Sequence, residues 1–374
     1  MPLRPAPILS LEFLKWALTL ILCGATAGGT VAQQSTSRYL RPAKAKDGNW
    51  GFVDRTGRFR IAPTFAGAFE FSDNVAVVWT FDGYTKKLGI VSPQGKYTTL
   101  PPYDYDLSFY DGFARIQALA NGNWVYGYID RSGAQVIKPR FVYAGDFAEG
   151  LAWAAIEKDR QYLYGFIDKH GKFVIPPTYS SQPGNFRDGL ARVTGEFGIG
   201  FIDRSGRYVI PPTNDNAGAG FSEGLVAVIP PGDAARGLLL DRAGHTLLDI
   251  PFWNQRTRRQ LDLHRNGWEV VTQFSEGLAP VQVLNRIGFI DKAGKLVIQA
   301  YFREVHPFSE GLAAVKVISS DGEYVWGYIA HDGEFVIQPQ YKTAFDFRGG
   351  LAEILDAKGN RLLIDQAGRK IASR

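Results

Sequence analysis

Nine times along this chain the same punctuation joins two apolar runs. "GFIDKHGKFVIPP" (165–177) returns 35 residues later as "GFIDRSGRYVIPP" (200–212). Aligned on the Asp, the copies sit at Asp54, Ser92, Asp130, Asp168, Asp203, Asp241, Asp291, Ala330 and Asp365, at intervals of 38, 38, 38, 35, 38, 50, 39 and 35. A period in this range marks a repeat architecture and has to be settled before any local motif is interpreted. Three residues after this position every copy has glycine: Gly57, Gly95, Gly133, Gly171, Gly206, Gly244, Gly294, Gly333 and Gly368. Asp-x-x-Gly between apolar runs predicts a tight hairpin. The carboxylate accepts a turn amide, and the glycine takes the left-handed conformation that other residues resist. Ala330 in the Asp position shows that this position shapes turns and performs no chemistry.

The run before each turn is apolar at adjacent positions, as in Phe52-Val53, Phe166-Ile167 and Tyr328-Ile329. Apolar residues on both sides of a strand imply that both its faces are covered. The run after the turn usually reaches a proline (Pro63, Pro101, Pro139, Pro177, Pro212, Pro339), which donates no hydrogen bond and is expected to end the pairing. A second block accompanies each unit: "FAEGLA" from Phe147, "FRDGLA" from Phe186, "FSEGLV" from Phe221, and "FSEGLA" from Phe274 and Phe308. Looser copies start at Phe71, Phe109 and Phe347. Asn74 replaces the glycine of this block in the first copy; it is the next-best residue at positive φ, so the block is expected to turn and then form a strand. Each unit therefore reads as three short strands, and no segment after residue 32 has helical periodicity.

The first 32 residues read as an export signal. Arg4 and Lys15 precede an apolar run from Trp16 to Ala27, only 12 residues where a membrane-spanning helix needs roughly 20. Small residues offer cleavage after Ala27 or Ala32, and a short tail, 33–47, would lead into the array. Cys23, the only cysteine, follows Leu22 and not the small residue that lipidation requires. Without this segment the chain holds 40 Lys+Arg against 36 Asp+Glu and neither Cys nor Met. A net +4 over some 340 residues is too mild to argue for nucleic acid. Disulfides, thiolate catalysis and cysteine metal sites are excluded.

The units resemble the bacterial WG (KWG) repeat family, on "WGFVD" at Trp50 and "WGYI" at Trp326, the following Gly-x-x-VI-x-P pattern, and then F-x-E-G-L-A. The resemblance covers residues 48 to 371. It departs from the pattern at Leu238 and Leu362 in the Gly position, and at Ile199 and Ile287 in the Trp position. It implies β-strand repeats, often exported, with no catalytic residues to carry over.

Other chemistry is thinly represented. The aromatic before each strand glycine (Trp50, Tyr126, Tyr164, Trp326) could build ligand cages, but Leu88, Ile199 and Ile287 at the same place point to core packing. The acid of the second block (Asp73, Asp111, Glu149, Asp188, Glu223, Glu276, Glu310) recurs once per unit, which suggests a turn cap and not a hydrolytic pair. His170, His245, His264, His306 and His331 lack zinc-ligand spacing. No Gly-x-Ser-x-Gly elbow or phosphate loop is present, and no cofactor is implied.

One place breaks the rule. The interval of 50 passes through an irregular insert, 250–270, holding Trp253, Arg256, Arg258, Arg259, His264, Arg265 and Trp268. Extra length in a repeat array goes to a loop on one face, and Arg and Trp are enriched at interface hot spots. Trp253, Arg256, Arg258, Arg259, Arg265 and Trp268 are the candidate partner-binding residues. The competing reading is a degenerate repeat with a solvated basic loop.

The sequence thus predicts an all-β tandem array over 48–374, stacked as an open solenoid, with a closed propeller as the alternative. Nine hairpins against eight second blocks favour the open form. The expected function is non-enzymatic: an exported, periplasmic or extracellular surface for a protein or envelope polysaccharide, with no nucleic acid and no membrane span in the mature chain. A structural spacer is the alternative.

Overall fold

In a computed structural model, which describes residues 40–371 except 102–103, 106–107, 121, 218–219, 233–236, 251–273 and 284–285, all nine turn glycines have positive φ, between 76° and 86°. Their hairpins share one hydrogen-bond pattern. Gly171 N donates to Asp168 O and Asp168 N to Lys172 O, both at 2.9 Å. The Asp168 carboxylate accepts from the amides of His170 and Lys172. Ser92 does the same more weakly, at 3.3 Å to Gln94 and Lys96. At Ala330 the turn closes without that acceptor, and Asp332 accepts from Glu334 N instead.

Gly171→Val is therefore expected to cost about 2 kcal/mol, from a β-branched residue at positive φ. A Cβ there would also meet Ile137 at 3.0 Å. Asp168→Ala should cost about 1 kcal/mol, the worth of an ordinary hydrogen bond. Thermal melts that rank the two the other way would overturn this account of the turn.

The same carboxylates link stability to pH. Asp203 is held below the ordinary carboxylate range, first by the Ser205 hydroxyl; burial opposes this, and the amides of Arg207 and Ser205 and the Arg207 guanidinium add to it. A folded value below the unfolded one gives stabilisation that is complete above the unfolded value, about 4, and is lost as pH falls through the folded value. Melting temperature should accordingly drop below about pH 4. Asp203→Asn should flatten that drop in a pH series of melts, and an unchanged slope would remove Asp203 from the account.

The hairpins organise nine small antiparallel sheets among the described residues, spanning 41–65, 67–99, 104–141, 143–179, 190–214, 216–250, 278–302, 304–341 and 343–371. The fourth shows the full unit: a lead strand Tyr143–Ala144, a block strand Ala152–Lys158 after "FAEG", a central strand Gln161–Ile167, and an outer strand Phe173–Tyr179. The first, fifth and seventh sheets lack the lead strand. The three predicted strands are present; in the other six sheets the lead strand is an addition that the sequence did not announce. Residues Arg41–Lys44, read as part of a tail, form the first sheet's block strand and pair with Trp50–Val53.

The proline expectation needs correcting. Outer strands continue past Pro63, Pro139, Pro177, Pro212 and Pro339. In the eighth sheet Tyr328 pairs with Ile337, but Trp326 pairs with Tyr341, so extra residues of the outer strand bulge beside Gly327. Proline occupies the bulge, where no ladder donor is needed; only after Thr99 does the outer strand stop short of its proline, Pro101. The bulge also explains the glycine of Trp-Gly: a Cβ on Gly327 would lie 2.7 Å from Ile337 O and 2.8 Å from Pro339 N. Where Leu238 replaces that glycine, its partner strand passes it in register without the bulge.

Each of the second to eighth sheets buries both faces against its neighbours, and the first and ninth bury one face each in this way. Eight apolar clusters fill the eight contacts between consecutive sheets. The Phe of the second block packs on the aromatic of the preceding sheet's central strand in six of them: Phe52–Phe71, Tyr128–Phe147, Phe166–Phe186, Phe201–Phe221, Phe289–Phe308 and Tyr328–Phe347. Their centroids are 4.8–5.1 Å apart, edge to face, a geometry that adds about 1 kcal/mol to area burial.

The ninth sheet in turn meets the first. Arg41 donates to Arg348 O at 2.9 Å. Arg55 lies 3.7 Å from the position of a Cβ on Gly350, as Arg204 lies against Gly150 and Arg242 against Gly189 in consecutive sheets. The first sheet thus stands to the ninth as each sheet stands to the one before it. Of the two arrangements of the all-β array, these contacts give the closed one. The unequal count of turns and blocks carries no weight, because the first sheet forms its block strand without a block of its own.

Candidate functional site

The residues singled out in the insert (Trp253, Arg256, Arg258, Arg259, Arg265 and Trp268) lie outside the described residues. The described surface has two ends of different chemistry. In the second to ninth sheets the Asp-x-x-Gly turn and the turn of the second block share one end, because the block and central strands run antiparallel. The hairpin tips joining those two strands lie at the other.

At the turn end the seven acids of the second block all have φ between 50° and 55°, a conformation that costs an ordinary residue roughly 1 kcal/mol or more. Glycine follows each of them, except at Asn74, also at positive φ. The side chain offsets the strain by reaching the next sheet. Asp111 accepts from Gly150 N, Glu149 from Gly189 N, Asp188 from Gly224 N, Glu223 from Gly277 N and Glu276 from Gly311 N. Asp73 likewise holds Gly112 N, and Glu310 takes both Gly349 N and Gly350 N at 2.6 Å. The acid is a cap, as expected, but it caps its neighbour's turn.

In four units the residue after the Asp position joins the same contact: Arg131 pairs with Asp73, Lys169 with Asp111 and Lys292 with Glu223, and His331, after Ala330, lies 3.3 Å from Glu276. Serines add a third link, Ser222, Ser275 and Ser309 donating to the carbonyls of Phe274, Phe308 and Phe347. The Glu223 carboxyl is held below its ordinary value; burial alone would raise it, and Lys292 and the Gly277 amide outweigh that. A shallow cavity of about 500 Å³ between Asp111, Arg131, Ser132 and Lys169 belongs to this network. Its charged groups are already engaged, Lys169 with Asp111, Arg131 with Asp73, and Asp130 with the Ser132 amide and hydroxyl. In the ninth sheet Gly349 replaces the acid, and the sheet beyond it is the first, whose lead-in, Thr36 to Tyr39, has no glycine to cap.

The aromatics before the strand glycines pack inward. Trp326 is buried, and Trp50, Leu88, Tyr126 and Tyr164 pack against the clusters. Among the described residues no three His, Cys, Asp or Glu side chains could hold a metal ion together, and no helix is long and apolar enough to cross a membrane.

The tip end differs. The second sheet exposes Phe81 and Tyr84, at 59 % and 105 %; the third Leu119 and Trp124; the fourth Tyr143 and Tyr162; and the fifth Phe197, at 75 %. Tyr324 and Ile318 do so on the eighth. Tyr143 meets Tyr162 edge to face at 5.2 Å and lies nearly parallel to Tyr164. The equivalent tips of the first and ninth sheets, "AKDGN" (45–49) and "DAKGN" (356–360), are polar. None of these exposed aromatics was singled out in the sequence. The available signal was an aromatic flanking the gap between the "GLA" strand and the Gly strand, where the repeat imposes no residue.

The family model for the WG containing repeat matches residues 50–78, 126–159, 164–194, 199–229, 287–317 and 326–355. The chain belongs to the WG repeat family. Each WG repeat so matched begins in a central strand and runs into the block strand of the next sheet, or one residue past it at Asp159, so the sequence unit straddles two sheets. The copies it passes over are those with Leu88, Leu238 and Leu362 beside or in the Gly position. No curated protein sequence matches the chain. Among solved structures it is similar to the tricorn protease (12 % identity, TM-score 0.26, covering 90 % of this chain and 39 % of that one). It is also similar to a eukaryotic initiation factor (12 %, 0.41, 79 % and 93 %) and to prolyl oligopeptidase B from Galerina marginata (12 %, 0.36, 79 % and 56 %).

Proposed function

We propose that this WG-repeat protein is a non-enzymatic, exported protein, periplasmic or extracellular, whose surface binds a protein or an envelope polysaccharide. The observation that carries the reading is the row of exposed aromatics on the hairpin tips of the second to fifth sheets. A pure spacer needs only polar tips, such as those of the first and ninth sheets, whereas an exposed aromatic stands on each of these four consecutive tips. The repeated carboxylates support a non-enzymatic role, because each is engaged in joining two sheets. The short apolar segment before Ala27 supports export, and N-terminal sequencing of the protein from its native envelope should begin at Gly28 or Gln33.

Binding is tested with the mature protein as bait for envelope extract and on a glycan array. A retained partner that is lost on replacing Tyr84 and Trp124 by Ser supports the reading. An empty eluate together with a silent array would leave the spacer.

A further inference from the structure

Resting on that reading, we propose that the tips of the second to fifth sheets bind a neutral polysaccharide, its pyranose rings stacking on Tyr84, Trp124, Tyr162 and Phe197.

Three observations select this partner. The first is charge. The tip segments 79–88, 117–126, 155–164 and 194–199 contain four acids (Asp82, Glu157, Asp159, Glu196) and four bases (Lys86, Lys87, Lys158, Arg160). Asp82 and Lys87 neutralise each other at 2.5 Å, and Lys86 lies over the Trp79 ring. A surface with no net charge offers neither a polyanion nor a polycation the long-range attraction that such ligands depend on.

The second is spacing. The rings stand one or two to a tip, on four consecutive sheets, separated by polar residues such as Thr80, Asn123 and Gln161. A protein partner needs a continuous dry patch ringed by polar groups. A polysaccharide presents apolar ring faces at intervals with hydroxyls between them, which matches separate platforms set among amides and hydroxyls.

The third is rigidity. Each ring sits at the end of a hairpin paired residue for residue: Asp82 with Thr85, Leu119 with Trp124, Lys158 with Gln161, and Gly195 with Gly198. Flat aromatic side chains on fixed hairpins lose little conformational freedom on binding, the condition under which weak stacking contacts add up.

The test is native affinity electrophoresis of the full mature chain through gels cast with a soluble β-glucan, hydroxyethyl cellulose, a galactomannan, dextran or dextran sulfate. Retardation is expected in at least one neutral gel, unchanged by about 0.5 M salt, where charge effects are screened. Trp124→Ala combined with Tyr84→Ser should weaken it about tenfold, or 1.4 kcal/mol, with the melting temperature unchanged, since both side chains are exposed. Tyr324→Ser on the eighth sheet, away from the row, should leave it intact.

The proposal is overturned by migration unaffected in every neutral gel, by retardation that survives the double variant, or by retardation confined to dextran sulfate and abolished by salt. Capture of a protein from envelope extract with no retardation in any neutral gel would overturn the polysaccharide while leaving the binding reading in place.

Discussion

Gly327→Ala is expected to destabilise the protein by about 3 kcal/mol, though it adds a single methyl group to a strand. The φ of Gly327 is not the reason. The outer strand bulges at Gln338 and Pro339 and folds its backbone onto the glycine, so the new Cβ meets Ile337 O at 2.7 Å and Pro339 N at 2.8 Å. Both are main-chain atoms, held by the pairings of Tyr328 with Ile337 and of Trp326 with Tyr341, and neither can move without breaking the ladder. Gly89→Ala in the second sheet is the control. There the outer strand pairs in register without a bulge, and the three nearest atoms all belong to the ring of Tyr97, an exposed side chain whose far end can shift against Phe65 without disturbing the ladder. It should cost less than about 1 kcal/mol. Urea melts of the two variants decide the matter: equal losses would mean that the bulge does not explain the glycine.

The glycine chemistry was legible because it is local. Asp168 and Gly171 make their turn within five residues, so composition at fixed offsets was enough to predict it. The bulge was not legible. Pro339 lacks a donor whether it ends a strand or sits in a bulge, and only the return of pairing at Tyr341 separates the two. The lead strand Tyr143–Ala144 is two residues long and has no periodicity to detect. Glu149 was read as a cap from its recurrence, but its partner, Gly189, is forty residues away, a distance over which a repeat shows that a contact exists without showing what it joins. Closure was hidden for the same reason: Arg41 and Arg348 are 307 positions apart, Arg41 belongs to no block, and Arg348 stands at a variable position of its own. The tip aromatics were not legible because they stand at positions where the repeat imposes no residue, so no column of the alignment marks them.

Phe347→Ala should cost about 4 kcal/mol, and where the loss is felt tests the closure of the array. Phe347 is fully buried, packs edge to face on Tyr328 at 4.8 Å, and receives the Ser309 hydroxyl on its carbonyl. Truncation leaves a cavity between the eighth and ninth sheets that the surrounding backbone, fixed by ladders on both sides, cannot fill. In an open array each sheet touches only its neighbours, so weakening one end frays that end. Hydrogen exchange would then quicken over 343–371 and leave 41–44 as protected as before. Here the next residue, Arg348, offers its carbonyl to Arg41, and the half-buried Arg41 guanidinium, lowered by burial and held by the field of Glu70, occupies a place that is Ala76, Ala152, Ala191 or Ala352 in other sheets. The closing contact therefore depends on the ninth sheet's backbone and has no apolar cluster to fall back on. Exchange should quicken at Arg41–Lys44 in the Phe347→Ala protein as well, while Phe186→Ala, in the middle of the array, should quicken exchange first in the fourth and fifth sheets. Protection at Arg41–Lys44 unchanged by Phe347→Ala would return the array to its open form.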